Sequence, residues 1–335
     1  ILKDPTVEFA VLETARGGIL RSGLGFGQCD IGVLTNINED HLGINDIHTL
    51  KDLTKVKRVV LDSVKKNGWC VLNADDEYSM RLINDLDARV AIFSLDEQNP
   101  FIKKFAKEGR TTCILEEGHI TIKKGDWKIR IAKVINIPIT MEGKAKFMIQ
   151  NVLAASLATY LHGFEIEDIA NSLRTFIPSA QLTPGRLNIF KFKNFKVLID
   201  FAHNPAGYEA IEDFLKNIES PKKIGIISGV GDRRDSDIKK CGQIAGRMFD
   251  HIIIRNEKHL RGRTEEEING LVIEGIHSSG KNPSFEIIPK EIEALKHAIS
   301  LAEEGTYITA LSDVVSNAIE LVQNYQTKEL QEDME

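Results

Sequence analysis

The nine residues Thr35 to Gly43 read TNINEDHLG and follow directly on an apolar run, Ile31 to Leu34. Asn36, Asn38, Glu39, Asp40 and His41 fall within six positions. Packing gives no reason to gather so many donors and acceptors after a strand, so the stretch reads as a binding site for charged or strongly polar groups. Two further segments are expected to converge on it. LETARGG places Glu13 and Arg16 after the apolar run Val7 to Leu12, and KVKR places Lys57 on the apolar side of a predicted helix. The second half of the chain repeats the pattern. DFAHNPAGY (Asp200 to Tyr208), GVGDRRD (Gly229 to Asp235) and NEKHLRGR (Asn256 to Arg263) each follow an apolar run. Asp232 and Asp235 could receive a guanidinium through paired hydrogen bonds, and Arg233, Arg261 or Arg263 could hold carboxylates. Residue by residue, the plain alternative is a solvated charged loop.

These side chains need rigid elements beneath them. Val7 to Leu12 and Ile31 to Leu34 read as buried strands, joined through the glycine-rich stretch Gly17 to Gly27. Its GLGFG neither follows a strand directly nor opens a helix, which argues against a dinucleotide fingerprint. From Thr49 to Lys66 the residues Leu50, Leu53, Val56, Val60, Leu61 and Val64 recur at helical spacing, with Lys57 inside the stripe and Lys55 on the opposite face. WCVL then reads as a strand ending in the polar NADD, Asn73 to Asp76. Arg89 to Phe93, Thr112 to Leu115, His119 to Ile122 and Trp127 to Ile131 are expected to form a small antiparallel appendage. Phe147 to His162 is a predicted helix closed by Gly163, and a second runs from about Glu167 to Phe176.

PSAQLTPGR, residues 178 to 186, breaks the periodicity and marks the expected boundary between a domain of residues 1–178 and one of 179–335. Beyond it strand and helix alternate. Strands are expected at Lys196 to Ile199, Lys223 to Ser228, His251 to Arg255, Phe285 to Ile288 and Tyr307 to Leu311. Helices are expected at Gly207 to Lys216 and Asp237 to Met248, from Glu265 and Glu291, and up to Tyr325. Thr264 and Glu267 have capping-box spacing, and the polar tail from Gln326 is expected to fray. The fold class is therefore α/β, with parallel sheets flanked by helices on both faces.

A length of 335 residues with 42% apolar content is enough for two cores. The formal charge of −6 supplies no field for a nucleic-acid backbone, so no nucleic-acid partner is expected. No apolar run reaches membrane-spanning length, so no membrane partner is expected either. Cys29, Cys70, Cys113 and Cys241 lack CxxC spacing and read as reduced residues of a cytoplasmic protein.

Taken in order, LETARGG, TNINEDHLG, KVKR, VLNADD, NVLAA, TPGRLN, DFAHNP, GDRRD and LRGR resemble the motifs of the Mur ligase superfamily of ATP-dependent amide-forming enzymes. ETARGGILR together with LRGR is most similar to the carboxy-terminal ligase half of the cyanophycin synthetases. The resemblance implies a partial central ATPase domain followed by a Rossmann-like carboxy-terminal domain. It also implies ATP and Mg2+ as cofactors, and the addition of arginine to the β-carboxylate of an aspartate-backbone polymer. Glu13 and His41 would hold a magnesium ion, joined by Lys57 if that lysine is carbamylated. The alternative for Lys57 is a lysine whose stem is buried and whose charge stays wet. Asn151 would contact adenine, although Met148 stands where relatives usually have a further asparagine. Arg186 and Asp200 would reach the phosphates and ribose of ATP, and His203 and Asn204 would orient the nucleotide or acyl intermediate. The family's phosphate-cradling GxxGK[ST] loop does not occur in this sequence. It and an upstream ATP-grasp half are expected to precede Ile1 in a longer, homo-oligomeric protein. Another Mur-type or folate-linked ligase, or a non-catalytic polymer-binding module, are the competing readings.

Overall fold

The computed structural model describes residues 3–39, 42–43, 46–257 and 260–332. The chain divides into two compact units. One comprises Ile1–Ile37, His48–Lys133 and Gln150–Asn171; the other comprises Asn38–Ile47, Val134–Ile149 and Ser172–Glu335.

The first unit is built on α1 (Arg16–Ser22), β1 (Cys29–Leu34), α2 (Leu50–Asp62), β2 (Val64–Asn73), α3 (Glu77–Met80), β3 (Arg89–Ser94), α4 (Pro100–Lys107), β4 (Thr111–Glu116), β5 (His119–Lys124) and β6 (Trp127–Lys133). Most of α5 (Lys146–His162) and α6 (Ile166–Thr175) complete it. Its six strands form one sheet in the order β1-β2-β3-β4-β5-β6. β1 to β4 are parallel, β5 pairs antiparallel with β4, and β6 pairs antiparallel with β5. The expected appendage is thus a meander continuous with the main sheet, and Arg89 to Phe93 belongs to the parallel part. The composition of β2 and β3 explains this: Cys70, Val71, Leu72, Ala91, Ile92 and Phe93 are all buried, as parallel strands covered on both faces require.

Two other expectations change. Val7 to Leu12 is not a strand; Phe9 is 47% and Val11 86% exposed. A strand exists only through a neighbour's backbone, and no described strand pairs with this run. The helix begun at Thr49 stops at Asp62, because Val64 pairs with Cys29 in the β1–β2 ladder. Its start is held by a capping box between Thr49 and Asp52. GLGFG lies between α1 and β1, as a loop.

The second unit contains β7 (Asn188–Lys191), β8 (Phe195–Asp200), α7 (Pro205–Lys216), β9 (Lys223–Ile227), α8 (Asp235–Met248), β10 (His251–Ile254), α9 (Glu265–His277), β11 (Ser284–Ile287), α10 (Glu291–Ser300), β12 (Thr306–Leu311) and α11 (Val315–Glu332). The sheet order is β11-β10-β9-β12-β8-β7, parallel except for β7. Residues alternate between two cores. Leu198, Ile227 and Ile252 pack with Tyr208, Phe214, Ile244 and Val272 of α7, α8 and α9. Val197, Ile226 and Ile308 pack with Leu295 of α10 and Ile319 of α11. β9 therefore leads to a helix on one face and the adjacent β12 to a helix on the other. That reversal opens a crevice at the carboxyl ends of the strands.

β7 escaped the sequence reading, and the tail is helical rather than frayed. Gln326 Nε2 donates to Lys191 O at 2.9 Å, and the Lys193 amide donates to the Glu329 carboxylate at 3.2 Å, which anchors α11 as far as Glu332. At α9 only half of the capping box forms. Thr264 accepts from the Glu267 amide, while the Glu267 carboxylate turns to Arg263.

Candidate functional site

In the first unit the polar loops after β1 and β2 are sewn together. Asn73 Nδ2 donates to Thr35 O at 2.9 Å, and the Ile37 amide donates to Asp76 Oδ2 at 2.9 Å. Asp76 also caps α3 through the Tyr78 and Ser79 amides. Asp75 is equally occupied, accepting from the Leu95 amide at 2.8 Å and from Ser94 Oγ. Asn73 and Asp76 therefore position the TNIN loop. Lys57 joins this arrangement: its Nζ donates to Asn36 O at 2.9 Å, while Lys55 is exposed beside Asp52. Helical spacing had separated the two lysines in the same way.

The metal set expected from the sequence, Glu13, His41 and Lys57, falls partly outside the described residues. Glu13 is exposed ahead of α1, and His41, with Asp40, lies outside the described residues. Among the described residues no three His, Cys, Asp or Glu side chains are placed to hold a metal ion. Glu39, grouped with the second unit, pairs there with Arg234, which also bonds Asp237 at 2.8 Å.

In the second unit Asp200 is 6% exposed, and both its oxygens accept backbone amides, from Leu187 and Ala202, each at 2.9 Å. Burial raises its carboxyl above the usual value even though those amides and the Arg186 charge pull it down. Asp200 thus pins the TPGR loop and leaves Arg186 exposed, with its guanidinium over the Phe201 ring. Asn204 caps α7 by accepting the Gly207 amide at 2.8 Å. His203 Nδ1 lies 2.8 Å from Phe201 O; a carbonyl only accepts, so Nδ1 carries the hydrogen and Nε2 is the acceptor in the neutral ring. Asn151, on α5, is exposed.

The expected substrate-binding charges largely satisfy one another. Arg263 bonds Asp235 at 2.6 Å and the Arg233 carbonyl at 3.2 Å, and Arg233 bonds Asp232 at 3.3 Å. Arg261 is exposed, with a φ of 54°. Gly231 is forced by contact: a Cβ there would lie 2.3 Å from Leu260 O. The GVGDRRD and LRGR loops are therefore pressed together.

Beside them sits a network that the sequence reading missed. Arg255, 2% exposed, approaches Asp313 at 2.7 Å and Glu291 at 3.6 Å and donates to Leu311 O at 3.1 Å. Glu257 and Glu291 flank Asp313, and Ser312 Oγ donates to Glu291. Burial, with the Asp313 charge second, lifts Glu257 to about 7, and burial likewise raises Glu291, whereas the Arg255 charge holds Asp313 below its usual value. Glu257 Oε2 is buried with no hydrogen-bond partner among the described residues. Three carboxyl groups thus surround one guanidinium at the ends of β10 and β12. The available signal was a charged residue directly following each apolar run: Arg255 after HIII and Asp313 after ITALS.

Comparison with known proteins bears on both units. The Mur ligase middle domain matches residues 2–159, and the Mur ligase glutamate ligase domain matches residues 185–314. The chain is 45% identical over 325 residues to cyanophycin synthetase of Geminocystis herdmanii, covering 97% of this chain and 37% of that protein. It is 26% identical to a UDP-N-acetylmuramoyl-L-alanyl-D-glutamate–2,6-diaminopimelate ligase of Caldanaerobacter subterraneus, covering 92% of this chain and 59% of that one. In fold it is similar to E. coli FolC in complex with ADP, with a TM-score of 0.64 at 15% identity, covering 90% of this chain and 66% of that one. It is likewise similar to MurF of Acinetobacter baumannii, with a TM-score of 0.61 at 15% identity, covering 88% and 60%.

Proposed function

Because the chain belongs to the Mur ligase superfamily, we propose that it is the ligase half of an ATP-dependent enzyme of the cyanophycin synthetase type. Such an enzyme joins arginine to the β-carboxylate of an aspartate-backbone polymer. The observation that carries this reading is the 45% identity to a cyanophycin synthetase across 97% of the chain. The two domain matches, 2–159 and 185–314, fall on either side of the 178/179 division and support it as the boundary between the domains.

A carboxylate is a poor acyl donor, so its activation as an acyl phosphate, followed by amine attack, is the chemistry this fold would serve. Exposed Asn151 would contact adenine, exposed Arg186 would reach the phosphates, and Asn204 and His203, at the head of α7, would orient the nucleotide or acyl intermediate. Asp200 would act by fixing the loop that carries Arg186. Magnesium would be held by Glu13, His41 and, if carbamylated, Lys57, and when bound would offset charge on crowded phosphate oxygens. The Lys57 bond to Asn36 O brings that side chain to the loop leading to His41.

The amine donor is assigned to the second unit. Asp232 and Asp235 already face arginines of the chain, so the guanidinium would be received by Glu257 and Asp313, where carboxyl groups outnumber the cation. A planar guanidinium presents paired N–H groups in a fixed fork that matches two such oxygens side by side, a geometry an ammonium lacks.

A segment of the longer protein, preceding Ile1, would supply the phosphate cradle. The exposed apolar residues Val7, Phe9, Val11 and Leu12, and the outer position of β1 in its sheet, are the surfaces such a segment would cover.

The test uses the intact longer protein with ATP, an aspartate-backbone primer, and arginine, lysine, glutamate or diaminopimelate as donor, with products read by mass spectrometry. Arginine should be incorporated, and either Glu13→Ala or His41→Ala should abolish incorporation while leaving the circular dichroism spectrum unchanged. Preference for another donor would move the chain to a different ligase class. Absence of any ATP-dependent amide would leave a binding module.

A further inference from the structure

The first unit has a cleft at the end of its sheet opposite the Asn36 and Asn73 loops. It has a volume of about 690 Å³ and lies where β3 and β4 begin and β5 ends, closed on one side by the last turn of α5. Arg89, Arg110 and Lys124 line it together with the rings of Trp69 and Tyr160, and no carboxylate is among the lining residues. In a chain with a net charge of −6, three cations and no acid among the lining residues are a local reversal. The arginines are held in place. Arg89 lies 4.1 Å over the Trp69 ring and donates to Asn67 O, and Arg110 lies 3.6 Å over the Phe105 ring and donates to Val90 O at 3.4 Å. Carbonyl and ring contacts orient a guanidinium without neutralising it. Glu108, which is not among the lining residues, pairs with Arg110 at 3.4 Å. Lys124 is exposed.

We propose that this cleft anchors a chain of carboxylates, namely the aspartate-backbone polymer, at the end of the sheet remote from the reacting loops. The identity of the chain rests on the proposed function; the preference for carboxylates rests on the cleft. The volume lies within the range of about 300–1,000 Å³ that holds a ligand of a few residues. The geometry sets a length. Trp69 at the cleft and Asn73 at the loops are four residues apart on β2, ~13 Å at about 3.3 Å per residue. A primer of fewer than about five extended residues cannot touch both ends, and a longer one can. Anchoring should therefore lower KM for long primers only.

The experiment compares the intact longer protein with an Arg110→Glu, Lys124→Glu double variant and a charge-retaining Arg110→Lys, Lys124→Arg variant. Reversing two cations should raise KM for a primer of about twenty residues roughly 10-fold, the loss of ~1.4 kcal/mol of binding. KM for a primer of about three residues, too short to span, and KM for ATP should stay unchanged, and the charge-retaining variant should behave as wild type. Equal rises for both primers, or no rise for the long one, would overturn the proposal. Polyaspartate binding, followed by Trp69 fluorescence, provides a readout independent of catalysis. Should polyaspartate fail to bind while inorganic phosphate binds in a variant-sensitive way, the cleft is a phosphate site and the proposal fails. Should polyaspartate bind but no amide form from ATP with any primer, the anchor stands and the ligase reading falls.

Discussion

Asp76 joins the two polar loops of the first unit, and Asp76→Ala measures what that joint contributes. The substitution removes an N-cap of α3, at about 1 kcal/mol. It also leaves the amide of Ile37, a residue 2% exposed, without its charged acceptor at 2.9 Å. A hydrogen bond to a charged group contributes about 1.5–3 kcal/mol, so the total should be about 3 kcal/mol. With a urea m-value of about 2 kcal/mol per molar, the transition midpoint should fall by ~1.5 M. Asp76→Asn keeps an acceptor oxygen at the cap and should lose about 1 kcal/mol. The chain allows a clean assay, because its two tryptophans, Trp69 and Trp127, both lie in the first unit. Fluorescence therefore reports that unit, and the change in circular dichroism that fluorescence does not track reports the other. The expected result is a shift in the fluorescence transition alone. An Asp76→Ala midpoint within experimental error of wild type would refute the view that Asp76 holds the TNIN loop. So would equal shifts by both probes.

The second unit yields two further expectations. Gly231→Ala would press a methyl group to 2.3 Å from Leu260 O, so the loop must move. A destabilisation of about 1–3 kcal/mol is expected by urea titration, with faster amide exchange along Gly229 to Asp235. Glu257 titrates at about 7 in the fold against an ordinary 4.5, so between those values the folded chain retains a proton that the unfolded chain has released. Its contribution to stability is therefore undiminished below 4.5 and is lost as pH rises to about 7. Asp313→Asn removes the neighbouring charge and should lower the Glu257 midpoint, whereas Arg255→Met should raise it, both followed by carbon NMR of the carboxyl group.

What the sequence made legible was whatever depends on local pattern. The strand and helix alternation from Lys196 onward follows hydrophobic period and turn residues, and the choice of Lys57 over Lys55 follows helical phase. What it hid depends on partners. Val7 to Leu12 is as apolar as β1, yet without a neighbouring described strand it forms no strand and stays exposed. Arg255, Glu257, Glu291 and Asp313 come from three separate stretches of chain, and none is unusual alone. Only the sheet order, which places β12 between β8 and β9, brings the ends of β10 and β12 close enough for them to meet. The converse holds for Asp232, Asp235 and Arg263, where charge density suggested a ligand and folding supplied one from the chain itself.

The last helix has a consequence for solubility. β7 is the outermost strand at its end of the second sheet, and a bare rim of amide and carbonyl groups would invite a strand from another molecule to add on. Gln326 and Glu329 of α11 reach that rim and occupy Lys191 O and the Lys193 amide. Shortening the chain before Gln326 would uncover it, and such a truncated protein should aggregate on standing even where its core remains folded.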